Sequence, residues 1–254
     1  MVRVALVTGG ARRLGAVISR ALADAGYLTV IHHGNSPEDA AALAAGIRAS
    51  GGAAGVLRAD LSDRAAIATL LPRCAEAFGP PCLLINNASS YHYDSITALD
   101  PAQWDINLRT NLEAPVFLAG AFFASRPAAP AAIVNMLDFK VTNLNPDYLS
   151  YTLAKVALAG ATHMLAMAFH GLVRVNAIAP GLTLRSGKQT EEQYQRAWRM
   201  TPLGCGPTPD EIAAAVLFTV QTRSLNGQVL SLDGGAGLQP RGRDVSVDPQ
   251  ALDE

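Results

Sequence analysis

Cysteine, charge and aromatic residues are all scarce in this 254-residue chain, and each shortage removes a class of protein. Three cysteines, Cys74, Cys82 and Cys205, have no C-x-x-C spacing and cannot all pair. That argues against a disulfide framework or a thiolate metal site, and for a reducing compartment. Only 16% of residues are charged and the formal net charge is -1, so nothing electrostatic favours nucleic acid or an anionic membrane as partner. No apolar run reaches the ~18 residues of a membrane span, and the apolar start runs into glycine and arginine instead of a small-residue cleavage site. A cytoplasmic location is expected, with no metal. Repeats and linkers are absent too, while the 50% hydrophobic content suits one undivided core.

What is present is an alternation of strand-like and helix-like segments. Residues 2–8 form a β-branched apolar run without polar alternation, as expected of a strand buried on both faces of a parallel sheet. The turn Thr8-Gly9-Gly10-Ala11-Arg12-Arg13-Leu14-Gly15 follows, and 16–25 read as a helix stopped by Gly26. Strand, glycine turn and helix aim free backbone N–H groups at a phosphate, with Gly9 and Gly15 permitting close approach; an ordinary βα turn looks similar locally. Further strands are expected at 28–33, 54–57, 81–86, 131–136, 173–178 and 228–232. Helices are expected at 37–50, 65–78, from Asp100 or Pro101 onward, 153–169, 188–199 and 209–220. The fold class is therefore α/β: a Rossmann-type, doubly wound, parallel seven-stranded sheet in a single domain, 1–238, with an unpatterned polar tail at 239–254.

Candidate binding residues sit at the carboxyl ends of these strands. About 20 residues past the glycine turn, an NAD site would carry an Asp or Glu for the ribose. Here stand His32, His33, Gly34, Asn35 and Ser36, with Arg12 and Arg13 nearby, so NADP(H) is the expected cofactor. The competing reading leaves both histidines as plain strand-end residues. Asp60, followed by Leu61, suits an adenine amino group and equally the cap of the next helix. Asn87 and small Ala88 suit a ribose lying close to the backbone, and Tyr91 offers a flat face, although N-N-A-S-S is also good surface-turn chemistry. Asn111 interrupts the apolar stripe of Trp104, Leu108, Leu112 and Phe117, and is expected to hold water or backbone near the site.

Tyr151 and Lys155 lie one helical turn apart on one face. A buried ammonium beside a phenol favours the phenolate, so the pair is expected to lower the Tyr151 pKa toward neutrality and make it a proton donor. The same spacing also arises by chance on exposed helices, so its surroundings decide its weight.

Together, T-G-x-x-x-R-x-G at 8–15, N-N-A at 86–88, Asn111, Tyr151-x-x-x-Lys155 and Pro180-Gly181 resemble the short-chain dehydrogenases/reductases, from Val2 to about Leu238. The resemblance implies Tyr151 as proton donor, Lys155 on the nicotinamide ribose and Asn111 supporting a proton-relay water. Cofactor contacts are then expected from Gly9, Arg12, Arg13, Leu14, Gly15, His33, Asn35, Ser36, Asp60 and Leu61. Asn87, Ala88, Ser89, Tyr151, Lys155, Pro180 and Gly181 complete that set. Two positions depart from the family: Arg13 replaces a usual glycine, and Asp138 replaces a usual serine thirteen residues before the tyrosine. With N-N-A-S-S-Y at 86–91 and W-R-M-T-P-L-G at 198–204, these departures resemble the pteridine reductase branch. That likeness implies Arg13 near the cofactor phosphates and a pterin, Tyr91 stacked on the pterin, and Ser89 and Thr183 beside it.

A serine hydroxyl can donate to a carbonyl oxygen that becomes an alkoxide; an ionised carboxylate only accepts, disfavours that charge and raises the Tyr151 pKa. A pterin C=N bond instead needs a proton on nitrogen, and the ring's N–H and amino groups are donors a carboxylate can hold. The expected function is NADPH-dependent reduction of a dihydropterin-like ring, contacted by Arg13, Ser89, Tyr91, Asp138, Tyr151 and Thr183. A carbonyl reductase is the alternative if Asp138 is protonated or faces solvent. A cofactor-binding sensor without turnover is another, against which Tyr151 and Lys155 argue. Apolar outer faces carrying Phe117, Phe122, Leu158 and Met167, and the family likeness, lead to an expected homotetramer.

Overall fold

Val4 and Leu6 point to one side of their strand and Ala5 and Val7 to the other, and none is more than 2% exposed. A strand apolar on both sides needs a layer of helices on each, which is the arrangement found in the computed structural model, where residues 2–125, 130–186 and 189–245 are described. The strands are β1 (Val4–Val7), β2 (Leu28–His33), β3 (Ala53–Arg58), β4 (Leu83–Asn86), β5 (Ala131–Met136), β6 (Val173–Pro180) and β7 (Val229–Leu232). All pair in parallel, in the order β3-β2-β1-β4-β5-β6-β7. The chain winds outward from β1 one way and from β4 the other, so the carboxyl ends of these neighbours open a crevice between diverging connections.

The helices are α1 (Arg13–Asp24), α2 (Pro37–Ala49), α3 (Arg64–Phe78), α4 (Pro101–Leu108), α5 (Ala114–Ala124), α6 (Leu149–Ala168), α7 (Glu191–Arg199) and α8 (Pro209–Gln221). One face of the sheet packs Val4, Leu6, Leu84, Ile133 and Val175 against Leu70, Leu118, Phe122 and Phe169. The other packs Ala5, Val7, Ile85 and Val134 against Ile18, Leu22, Ile212 and Val216. No helix among the described residues is long and apolar enough to cross a membrane.

Several boundaries move from their expected places, each for a local reason. Helix α1 begins at Arg13, three residues early, because the glycine turn is tight enough to enter the helix directly. Helix α3 is capped by Asp63, which accepts from the Ala65 N–H. Asp60 is therefore not the cap; its Oδ1 accepts from the backbone and hydroxyl of Ser62. The long helix expected after Asp100 divides at a wide turn, Arg109–Glu113. Pro115 has no N–H to give the Asn111 carbonyl four residues back, and its ring crowds that position, so the coil widens there. Helix α7 starts at Glu191 behind a reciprocal Thr190–Gln193 cap; Lys188, the expected start, lies outside the described residues.

Two expectations about surfaces change. Phe122 and Leu158 are core residues, 0% and 1% exposed, whereas Phe117 and Met167 do face outward. The boundary drawn at Leu238 does not end the packing either. Asn143 donates to the Ala236 and Gln239 carbonyls, and Arg243 and Asp244 are bonded to Asp147; residues 246–254 lie outside the described set.

His32 holds the centre of the sheet to the glycine turn. Its Nδ1 accepts from the Gly9 N–H at 3.1 Å, and its Nε2 lies 3.1 Å from the Ala59 carbonyl, so the neutral ring with the proton on Nε2 satisfies both. Burial pushes its pKa down to about 4. The unfolded ring, near 6.5, takes up a proton that the folded ring refuses, so this contribution is intact above about 6.5 and lost as pH falls toward 4, by about 3 kcal/mol. Urea melts of the wild type and His32→Asn across that range check it: the acid loss should shrink in the variant, and equal losses would show that another group carries the effect.

Candidate active site

The crevice floor is built from two interlocked turns. Thr8 Oγ1 accepts from the backbone N–H groups of Asn87 and Ala88, at 2.9 and 3.0 Å, and Asn87 Nδ2 donates back to the carbonyls of Thr8 and Gly9. Gly9 has φ +60°, and a Cβ there would stand 2.8 Å from the Ala88 Cα. At Gly15 a Cβ would run into the Gly9 carbonyl and the Asn87 amide. The turn thus leaves its backbone bare at the start of α1, which is the cradle a dinucleotide pyrophosphate requires. Arg13 adopts φ 52°, a left-handed conformation glycine favours, and its guanidinium reaches across to the Arg185 carbonyl with two bonds of 3.0 Å.

The far end of the crevice is set by the loop between β5 and α6. Asp138 opens a short 3₁₀ turn, Phe139–Val141, by accepting from the Lys140 N–H through Oδ1 at 2.9 Å. Its other oxygen accepts from the Tyr151 hydroxyl at 2.8 Å. Helix α6 begins after Tyr148, itself at φ 53°, with no cap of its own. Asp94 supplies the cap from a distant loop, both oxygens 3.2 Å from the Ser150 N–H, and so fixes the first turn from which Tyr151 projects. Lys155 donates to the Met136 carbonyl at 2.7 Å, with its ammonium 5.6 Å from the Tyr151 ring centroid. Tyr151 and Lys155 are 5% and 3% exposed.

The electrostatics correct one expectation. Tyr151 is held well above the ordinary phenol value, by burial first and then by the charge and hydrogen bond of Asp138, so its pKa does not fall toward neutrality here. Burial also pushes Asp138 up, against the Lys140 N–H, the Tyr151 hydroxyl and the lysine charges. Lys155 is pushed down to about 8 by burial, with Asp138 opposing. Tyrosine and carboxylate are thus both biased toward carrying protons, with a weakened ammonium behind them.

A cavity of about 540 Å³ joins the two ends. Gly9, Arg12, Arg13, Leu14, Gly15, Asn87, Ala88 and Ser89 line its first part, and Tyr91, Asp138, Tyr151, Gly181 and Thr183 its second. Lys155 stands behind the wall, and Leu61 and Pro180 are buried. His33 is buried with its Nδ1 turned to the Ser36 N–H, and Asn35 and Asp60 are exposed away from the cavity. Of the two roles expected of Asn111, its contacts fill the backbone one: Oδ1 accepts from the Ser89 hydroxyl, and Nδ2 donates to the carbonyls of Ser90 and Asn107. Tyr91 already stacks on Tyr148, centroids 4.1 Å apart, and meets Tyr151 edge-on at 4.7 Å. Sequence reasoning missed Lys140, Gln189, Asp244 and Val245 on the cavity wall. A lysine two residues past Asp138 was a faint signal for the first; the others had none.

A family model described as Enoyl-(Acyl carrier protein) reductase matches residues 9–237. Pteridine reductase 1 of Leishmania tarentolae is 30% identical, over 92% of this chain and 96% of that protein. Among solved structures, FolM Alternative dihydrofolate reductase 1 from Brucella canis, complexed with NADP, superposes with a TM-score of 0.90 at 40% identity, over 95% of this chain and 96% of that one. Its counterpart from Brucella suis, also with NADP, gives 0.87 at 39%, over 93% and 96%. Matching motifs, sheet order and these relatives lead to one conclusion: the chain belongs to the short-chain dehydrogenase/reductase family.

Proposed function

We propose that this NADP-dependent oxidoreductase reduces a C=N bond in a dihydropterin-like ring. The observation that carries this reading is the 2.8 Å hydrogen bond from the Tyr151 hydroxyl to Asp138 on the cavity wall. The bare turn from Gly9 to Gly15 and Asn87 beside it fit a dinucleotide, while Lys155 is held behind Tyr151 by the Met136 carbonyl. No carboxylate occupies 32–36, and Arg12 is exposed at the mouth, where a 2′-phosphate would compete with its present partner Asp39. When bound, the reduced nicotinamide supplies the hydride. Tyr151 holds the proton that the ring nitrogen must gain, and the Asp138 carboxylate, which accepts from the Tyr151 hydroxyl, orients it and is free to accept from the ring's N–H and amino donors. Ser89, Thr183 and Tyr91 offer polar contacts and a ring edge to the substrate, while Arg13 closes the mouth from the side of the glycine turn. The outward face carrying Phe117, Leu153, Met164 and Met167 is assigned to assembly with further copies.

The test is NADPH oxidation with dihydrobiopterin or dihydromonapterin, set against simple ketones. Turnover of the dihydropterins with little on ketones is expected. Turnover of ketones alone would assign carbonyl reduction instead, and none on either would leave a cofactor-binding sensor.

A further inference from the structure

Lys140 has no place in that chemistry, yet its side chain is 1% exposed and lies on the cavity wall. A buried ammonium is retained only when paired and hydrogen-bonded. It donates to Asn145 Oδ1 at 3.0 Å and to Asp244 Oδ2 at 2.6 Å, across 104 residues of sequence. Asp244 belongs to a segment, 239–245, that doubles back over the loop between Asp138 and Tyr151. Arg241 bonds the Asn143 side chain and the Met200 carbonyl, and Arg243 forks onto Asp147 at 2.8 and 2.9 Å. The Asp244 N–H takes the same Asp147 carboxylate at 2.8 Å. Asp147 is 2% exposed, so a second buried charge depends on the same segment. Asp244 and Val245 then face the cavity that Asp138 and Tyr151 share.

We propose that 239–245 is a strap completing the substrate end of the cavity, and that Asp244, through Lys140, is a positioning residue for the loop that carries Asp138 to Tyr151. The inference rests on the oxidoreductase reading of this cavity but not on the identity of the ring. Without Asp244, the Lys140 ammonium is left with Asp138, two residues away on its own loop and already within reach of its charge, and capture there would draw Asp138 off Tyr151.

The experiment compares wild type, Asp244→Asn and the double variant Lys140→Met/Asp244→Asn in the full chain. On the preferred substrate of the wild type, Asp244→Asn should lower kcat/KM by about tenfold or more with NADPH affinity kept, since a small misplacement of a reacting group has effects of this order. Hydrogen exchange across 139–147 in the NADP⁺ complex should rise in the single variant and return toward wild type in the double, which has no stranded ammonium. If Asp244→Asn does not fold, Arg243→Ala, at a side chain 45% exposed, loosens the same strap and should show the same pattern more weakly. Unchanged kcat/KM and exchange would overturn the proposal, as would parallel losses of kcat/KM, NADPH affinity and melting temperature. A wild type that reduces only ketones defeats the dihydropterin reading and leaves this test intact on the ketone. With no turnover at all, the exchange of 139–147 decides it.

Discussion

Tyr151→Phe should lower kcat by about 10²–10⁴-fold while NADPH still binds, the range expected when a positioned proton donor is lost. The ring and its edge-on contact with Tyr91 survive the change; the hydroxyl that bonds Asp138 does not. Because burial and Asp138 hold Tyr151 well above the ordinary phenol value, the wild-type hydroxyl stays protonated through the working range and is a donor throughout. The pH limit comes instead from Lys155. Its pKa of about 8 leaves it charged below that pH and neutral above it, and its charge offsets the negative charge left on Tyr151 as the proton departs. The wild-type rate should therefore fall as pH rises through about 8. Single-turnover rates at several pH values, with NADPH binding followed by fluorescence, test both statements. A phenylalanine variant within about tenfold of wild type would remove Tyr151 as the donor.

Asp138→Ser should exchange one specificity for the other. Serine replaces an acceptor-only group with a donor that can stabilise a developing alkoxide, and loss of one well-placed group of this kind shifts rates by about 10²-fold or more. Dihydropterin reduction should fall by about that factor and ketone reduction should rise. The local fold is expected to hold, because a serine oxygen can still accept the Lys140 N–H that Asp138 Oδ1 accepts now. Paired kcat/KM values for one dihydropterin and one ketone measure the exchange. Unchanged ratios would mean that the carboxylate bonded to Tyr151 does not choose the substrate.

The contacts behind these two predictions were unequally visible beforehand. Tyr151 and Lys155 are one helical turn apart, so their shared face follows from helix geometry whatever surrounds them. Asp138 was legible as a departure, but its meeting with Tyr151 depends on a 3₁₀ turn, a left-handed Tyr148 and a cap from Asp94, none of which has a periodic signature. The Tyr151 shift was legible only in part for a related reason, the raising by Asp138 having been expected alongside the lowering by Lys155. The lysine's attraction can be read from spacing, whereas burial, the larger cause, requires the packed structure.

Local periodicity was enough for the strands, the helices, the parallel sheet and the glycine turn, because strand and helix periods and the turn's need for residues without Cβ are properties of neighbouring residues. Long-range pairing was beyond it. His32 against Gly9, Asn111 against Ser89, Asp94 at the head of α6 and Lys140 on Asp244 are joined across 23, 22, 56 and 104 positions. In each, a buried polar group had to find a partner, and which group came within reach depended on how the assembled layers closed around it.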